Sequence, residues 1–352
     1  MIKKVITWLN DHRSISVVIL FLSLVVMIYP RFNRQDIAIV KPFVGGQEGT
    51  LSPDVHNYVN FTEHFKGHLP LDSVISPFNF RPTVPYLASI LPVDSLLGIV
   101  FVNIFAAIIA IFSIYFILKH HHFEFGLRII GCLLFIVSFP MMYYTPAGYI
   151  DASAICMISL ITAAAVSERY YFLPLLFMIG AGVKEVTIIA FPFIIFISYR
   201  SYRSGDKQMI WPTFISVFSY VLVSYLVRTG FSSESTYVWE PMFSSLQENL
   251  IRPKTYLSFL LSFGLVGVLG ISQILSDIKV HSPKLPIVTF LKNYVYTPHL
   301  LGILASFALN GYAVVSAYAD GRFIWTAYPF LIPPAIEFIK SKWMGQAKTI
   351  SS

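Results

Sequence analysis

The sequence predicts an all-α, polytopic transmembrane bundle of about ten helices in a single integral membrane domain spanning residues 1–352. Three observations carry that prediction. The chain is 56% hydrophobic and 12% charged, with a mean hydropathy of +0.68. A soluble domain carries about 25% charged residues, so this chain has more apolar surface than one water-bounded core can hide. Apolar runs long enough to cross a bilayer recur along its length, and basic residues collect at their ends.

The elements follow in order. Spans are expected at 14–30, 95–118, 128–144, 149–166, 210–228, 256–276, 299–318 and 322–339. The first follows Lys3 and Lys4 and leads into Tyr29-Pro30-Arg31-Phe32, which is too bulky for a cleavage site, so it reads as an uncleaved signal anchor. Residues 83–93, bracketed by Pro85 and Pro92, are short and read as a partial helix. Residues 170–199 are too long for one crossing of a ~30 Å core, and Gly180-Ala181-Gly182-Val183-Lys184-Glu185 interrupts them. Two short helices meeting at that break are expected. Cys132 and Cys156 both lie in apolar stretches and read as small core residues.

Charge sets the expected orientation. With the N-terminus inside, 15 of the 25 Lys and Arg fall on the inner side, against six of the 18 acids if Glu337 is included. Both termini are therefore expected to be cytoplasmic. The net charge of +7 belongs to span ends, so nucleic acid is not an expected partner. Two extracytoplasmic loops are long, 31–82 and 229–255, and the first is the longer. No internal repeat and no low-complexity segment is visible.

Charged groups in or beside spans are expensive, so each needs a reason. Several are expected at one depth on the outer face: Asp54 and Arg81 in the first loop, Asp151 opening a span, Lys184 and Glu185 at the break, and Asp320 and Arg322 before the last span. Carboxylates there suit acid–base work and cations suit a phosphate. Each also has a plainer reading. Asp320-Gly321 is a turn dipeptide, and Arg322 is an interfacial anchor. Asp151 is an N-cap, and Lys184 and Glu185 neutralise one another. His120-His121-His122 reads as a solvated cluster at headgroup level rather than a metal site, and Asn60-Phe61-Thr62 is a chance glycosylation triplet.

Four of these features together resemble the GT-C superfamily of polytopic glycosyltransferases, in its smaller bacterial form without a C-terminal soluble domain. They are Asp54 with Tyr58 in the first loop; Phe80-Arg81-Pro82 leading into an apolar helix; Gly182-Val183-Lys184-Glu185-Val186 at a broken hairpin; and Asp320-Gly321-Arg322-Phe323, with Tyr328-Pro329 beyond, entering the last span. The resemblance implies inverting transfer of a sugar from a polyprenyl-phosphate carrier to a glycan, lipid or protein acceptor on the extracytoplasmic face. It implies residence in a bacterial inner membrane and a role in cell-surface glycan assembly. Asp54 is then the general base, with His56 orienting it or the substrate. Arg81, Lys184 and Arg322 meet the phosphate, with Asp151, Glu185 and Asp320 beside them. No cofactor is required, and a divalent metal is left open. A surface-polysaccharide polymerase or ligase would use the same lipid and the same face, and would carry a larger late loop rich in Arg and His. A lipid-linked solute transporter or flippase would place its charges near the midplane between repeats.

Overall fold

The computed structural model describes residues 2–32, 52–233, 242–281, 287–316 and 319–344. The described chain is helical, with no β-strand among the described residues. Residues 33–51 of the expected first loop and 234–241 of the second lie outside the described part, as do Lys284, Tyr318 and Lys348.

The N-terminal segment is a helix, α1 (Ile2–Asp11), which buries Ile6 and Leu9. Asn10 fastens it to the bundle, donating to Glu124 at 3.0 Å and accepting from the Gly126 amide at 2.7 Å. It is followed by α2 (Arg13–Phe32). The described part of the first expected loop is folded onto the bundle. Ser52 caps α3 (Pro53–Phe65) by accepting from the Val55 amide, and Pro53 occupies its first turn. Val55, Tyr58, Phe61 and Thr62 recur at helical spacing and are buried. They face α4 (Thr83–Ser89) and α5 (Ser95–His120), the latter capped by Asp94. The Asn60-Phe61-Thr62 triplet lies inside α3. The Asn60 side chain donates to the Ser73 carbonyl at 3.0 Å, and Phe61 and Thr62 are buried.

Next come α6 (Phe125–Ile136) and α7 (Phe139–Tyr144), with a bend of 51° at the break of Val137 and Ser138. The chain continues through α8 (Asp151–Val166), α9 (Leu173–Val183), a 3-10 turn (Glu185–Ala190), α10 (Phe191–Arg203) and α11 (Ile210–Gly230). The remainder is α12 (Met242–Ile251), α13 (Pro253–His281), α14 (Ile287–Asn293), α15 (Thr297–Ser316), α16 (Arg322–Trp325) and α17 (Tyr328–Trp343).

This is a helical membrane bundle, as expected, and the described residues support fewer spans than the expected ten or so. Among the described residues, six helices are long and apolar enough to cross a membrane, or seven if the bent α6–α7 pair is one span. The predicted spans at 149–166 and 322–339 became α8 and α17, each of 16 residues. At 1.5 Å per residue such a helix is about 24 Å long, short of the ~30 Å apolar core. The 170–199 stretch breaks where expected, but its first half is the 11-residue α9.

Both 16-residue helices run through the interior. α8 packs along α5, and α17 packs along α13. α8 is built from Ala152, Ser153, Ala154, Ser159, Thr162, Ala164 and Ala165, all buried, and small residues let neighbouring backbones approach closely. The aromatic core around Phe135, Trp325, Tyr328 and Phe330 fills the space beside α17. α13 is kinked at Gly264, which takes the left-handed φ of +49° that favours glycine. Beside the kink, the Tyr328 hydroxyl donates to the Ser262 carbonyl at 2.8 Å. Cys132 and Cys156 are free and buried, as read from the sequence.

Candidate functional site

The charged residues singled out from the sequence come from separate elements and meet at one end of the bundle. A cavity of about 590 Å³ opens there. Its lining includes Asp54 of α3, Arg81 before α4, Lys184 and Glu185 at the α9 break, and Asp320 and Arg322 before α17. Asp151, on the first turn of α8, is buried and ion-paired to two of them. Such a volume suits a small molecule or the head of a larger amphiphile.

The break at Lys184 explains why two adjacent residues serve different partners. α9 ends at Val183, Lys184 is extended, and a 3-10 turn begins at Glu185. Extended neighbours point to opposite sides. Lys184 Nζ reaches Asp151 Oδ1 at 2.5 Å, with both side chains buried. Glu185 turns the other way and receives Arg81 in a two-pronged pair, with Arg81 Nε 2.8 Å from Oε2 and Nη2 on Oε1. Arg81 Nη1 also donates to the Tyr58 hydroxyl at 2.6 Å. Burial alone would lower the Arg81 pKa, but Glu185 and Tyr58 outweigh it and hold the guanidinium firmly protonated. Burial pushes the Tyr58 phenol upward, so it stays neutral.

Arg322 closes the network. Its Nη1 lies 2.7 Å from Asp54 Oδ2 and 3.9 Å from Asp151 Oδ2, and its Nε lies 3.6 Å from Asp320 Oδ2. The guanidinium also covers the Tyr149 ring at 4.9 Å. Asp320 accepts from the Tyr144 hydroxyl at 2.9 Å and from the Arg322 amide at 2.7 Å. Burial still raises the Asp320 carboxyl above the ordinary range, against the pull of Arg322.

The loop bearing these two residues lies directly on α13. The Gly321 amide donates to Ser258 Oγ at 2.7 Å. A Cβ at Gly321 would press into the Ser258 carbonyl and the Ser262 hydroxyl, so only glycine fits this approach.

Several expectations need correction. Asp151 does not cap its helix. Ile150 is the capping position and makes no side-chain bond, while the Asp151 carboxylate goes to Lys184. Lys184 and Glu185 do not neutralise one another, since each has its own partner. The phosphate candidates Arg81, Lys184 and Arg322 already carry carboxylate partners. His56 is exposed and does not line the cavity. Its segment is helical rather than a loop, and helical residues two apart face different ways, so Asp54 turns inward and His56 outward. His56 Nε2 instead lies 3.3 Å from Asn60 Nδ2. His121 is not a solvated headgroup residue; its Nε2 lies 3.3 Å from His299 Nε2, beside the Tyr296 ring. The described residues contain no cluster of three or more His, Cys, Asp or Glu placed to hold a metal.

The sequence reading also passed over Arg228, which lines the same cavity from the last turn of α11. A cation at the end of a span is the ordinary interfacial pattern, so it gave no signal. The lining also has apolar members, among them Ile188, Leu309, Tyr312 and Ala313. Ile188 and Tyr312 are each more than half exposed. The site therefore joins charged, hydrogen-bonding groups to apolar side chains, a combination suited to an amphiphile. No protein-family model, curated protein or solved structure matches the chain.

Proposed function

We propose that the chain is a membrane glycosyltransferase that moves a sugar from a polyprenyl-phosphate carrier to an acceptor hydroxyl on the extracytoplasmic face. The observation that supports this most is the shared cavity. A carboxylate from α3, cations from four further segments and apolar side chains all border one space of about 590 Å³. A sugar fits beside the charged wall, and a polyprenyl chain fits along Ile188, Leu309 and Tyr312 toward lipid.

Asp54 takes the proton of the acceptor hydroxyl. The acceptor oxygen then attacks the anomeric carbon from the side opposite the phosphate. As that bond forms, the bond from the anomeric carbon to the phosphate oxygen breaks, and its electron pair stays on the phosphate. The configuration inverts. Arg322 holds Asp54 at the edge of the cavity and so keeps the base in place. The Arg81–Glu185 and Lys184–Asp151 pairs brace the wall. The proposed residence is a bacterial inner membrane, with both termini cytoplasmic and the product used in cell-surface glycan assembly.

The test is product analysis with pure protein in detergent, given a polyprenyl-phosphate-linked sugar and an alcohol acceptor. Addition of one sugar supports the transferase. A ladder of repeats would make the protein a polymerase. No product, together with ion-coupled solute uptake by protein-loaded vesicles, would make it a transporter.

A further inference from the structure

We infer that Arg228 is the residue that recognises the anionic phosphate of an amphiphilic lipid ligand in this cavity. The inference rests on the lipid-carrier reading given above and assigns its phosphate subsite to a residue outside the buried ion-pair network.

Four cations line the cavity: Arg81, Lys184, Arg228 and Arg322. Three are engaged. Arg81 is held by Glu185, Lys184 by Asp151, and Arg322 by Asp54. With Asp320 also beside Arg322, the network holds four carboxylates against three cations and has no positive charge to spare. An incoming phosphate would have to break a buried pair and strand a carboxylate, which is strongly unfavourable in a low-dielectric setting. Arg228 is different. Among the described residues no carboxylate lies within ion-pair distance of it, its side chain is exposed, and its guanidinium rests over the Phe80 ring at 5.5 Å.

Its position also fits. Phe80 and Ser224, one turn earlier on α11, line the cavity with it. The Phe80 ring holds the guanidinium beside the cavity, and a guanidinium suits a two-pronged hold on phosphate. Two plainer roles exist for such a residue: complementing the negative end of α11, and anchoring that helix in phospholipid headgroups. Neither requires Arg228 to border the cavity, and the test separates them.

The experiment measures equilibrium binding to the full chain in non-ionic detergent free of phospholipid. The probes are a polyprenyl monophosphate, the matching neutral polyprenol, inorganic phosphate and phosphatidylglycerol. The wild type is expected to bind the monophosphate roughly tenfold tighter than the alcohol. Arg228→Gln should erase that preference while alcohol binding and the thermal midpoint stay unchanged, and Arg228→Lys should restore part of it. A preference that survives in Arg228→Gln but is lost in Arg322→Gln overturns the assignment and leaves the lipid-carrier reading standing. Equal competition by inorganic phosphate or phosphatidylglycerol also overturns it, in favour of a general anion or headgroup contact. A wild type with no preference for the monophosphate overturns the lipid-carrier reading, and the assignment falls with it.

Discussion

Arg322 Nη1 sits 2.7 Å from Asp54 Oδ2, tying the loop before the last helix to the first turn of α3. The same guanidinium stands near Asp320 and Asp151, so one cation organises carboxylates from three parts of the chain. This arrangement separates residues that do chemistry from residues that hold the site in shape.

Asp54→Asn should remove the base and spare the scaffold. The Asp54 side chain is 24% exposed, and Arg322 keeps its other partners. Asn also keeps an oxygen that can accept from Arg322, so the thermal midpoint is expected to fall less than on breaking the Lys184–Asp151 pair. Transfer should fall by roughly 10²–10⁴-fold, the usual contribution of a positioned base. Turnover and the thermal midpoint, measured on the same preparation, check both halves; wild-type turnover in this variant removes Asp54 from the mechanism.

Lys184 and Asp151 should behave as a unit. Lys184→Met leaves Asp151 buried with only the more distant Arg322. Breaking one side of a buried pair costs about 3–5 kcal/mol, whereas replacing both members with apolar residues is often neutral. Lys184→Met should thus lower the thermal midpoint sharply, and Lys184→Met with Asp151→Leu should recover most of the loss. If the two substitutions simply add, the pair is not coupled.

Tyr58 should matter only through Arg81. Tyr58→Phe deletes the phenol that accepts from Arg81 Nη1. The expected loss is about 1 kcal/mol in the wild type and close to none in an Arg81→Met background. Arg81→Lys should not substitute, because an ammonium cannot hold Glu185 with two parallel bonds and Tyr58 with a third. A double-mutant cycle in detergent measures the coupling, and a Tyr58→Phe cost that persists without Arg81 contradicts it.

His121 gives the fold an acid sensitivity. Burial, then the neighbouring His122 and His120, lowers its pKa from 6.5 to about 4. Between those values the unfolded chain binds the proton and the folded chain does not. Stability should therefore hold above pH 6.5 and decline as the pH falls toward 4. Replacing His121 with Phe should flatten that slope in thermal unfolding measured across the range, and an unchanged slope would place the sensitivity elsewhere.

The sequence makes some of this legible, for a physical reason. Charges are costly in an apolar chain, so Asp54, Arg81, Asp151, Lys184, Glu185, Asp320 and Arg322 stand out, and all seven meet at one end of the bundle. What the sequence conceals is pairing. Nothing local says that Lys184 reaches Asp151 while Glu185 reaches Arg81, because that depends on how α8 and the α9 break meet in space. His56 faces away from Asp54 because Ser52-Pro53 starts a helix, and helical spacing decides which way a side chain faces. The expected count exceeds the long apolar helices of the described residues because apolar content does not distinguish a helix exposed to lipid from one enclosed by other helices, as α8 and α17 are. Arg228 was hidden by its ordinary place at a helix end.

The close approach of Gly321 to α13 has a consequence for inheritance as well as for shape. The obstacle to a larger residue there is chiefly the Ser258 carbonyl, a main-chain group present whatever amino acid stands at that position. Trimming a neighbouring side chain cannot open the space. A selection for revertants of Gly321→Ala should return glycine at the original codon and no second-site suppressor along α13.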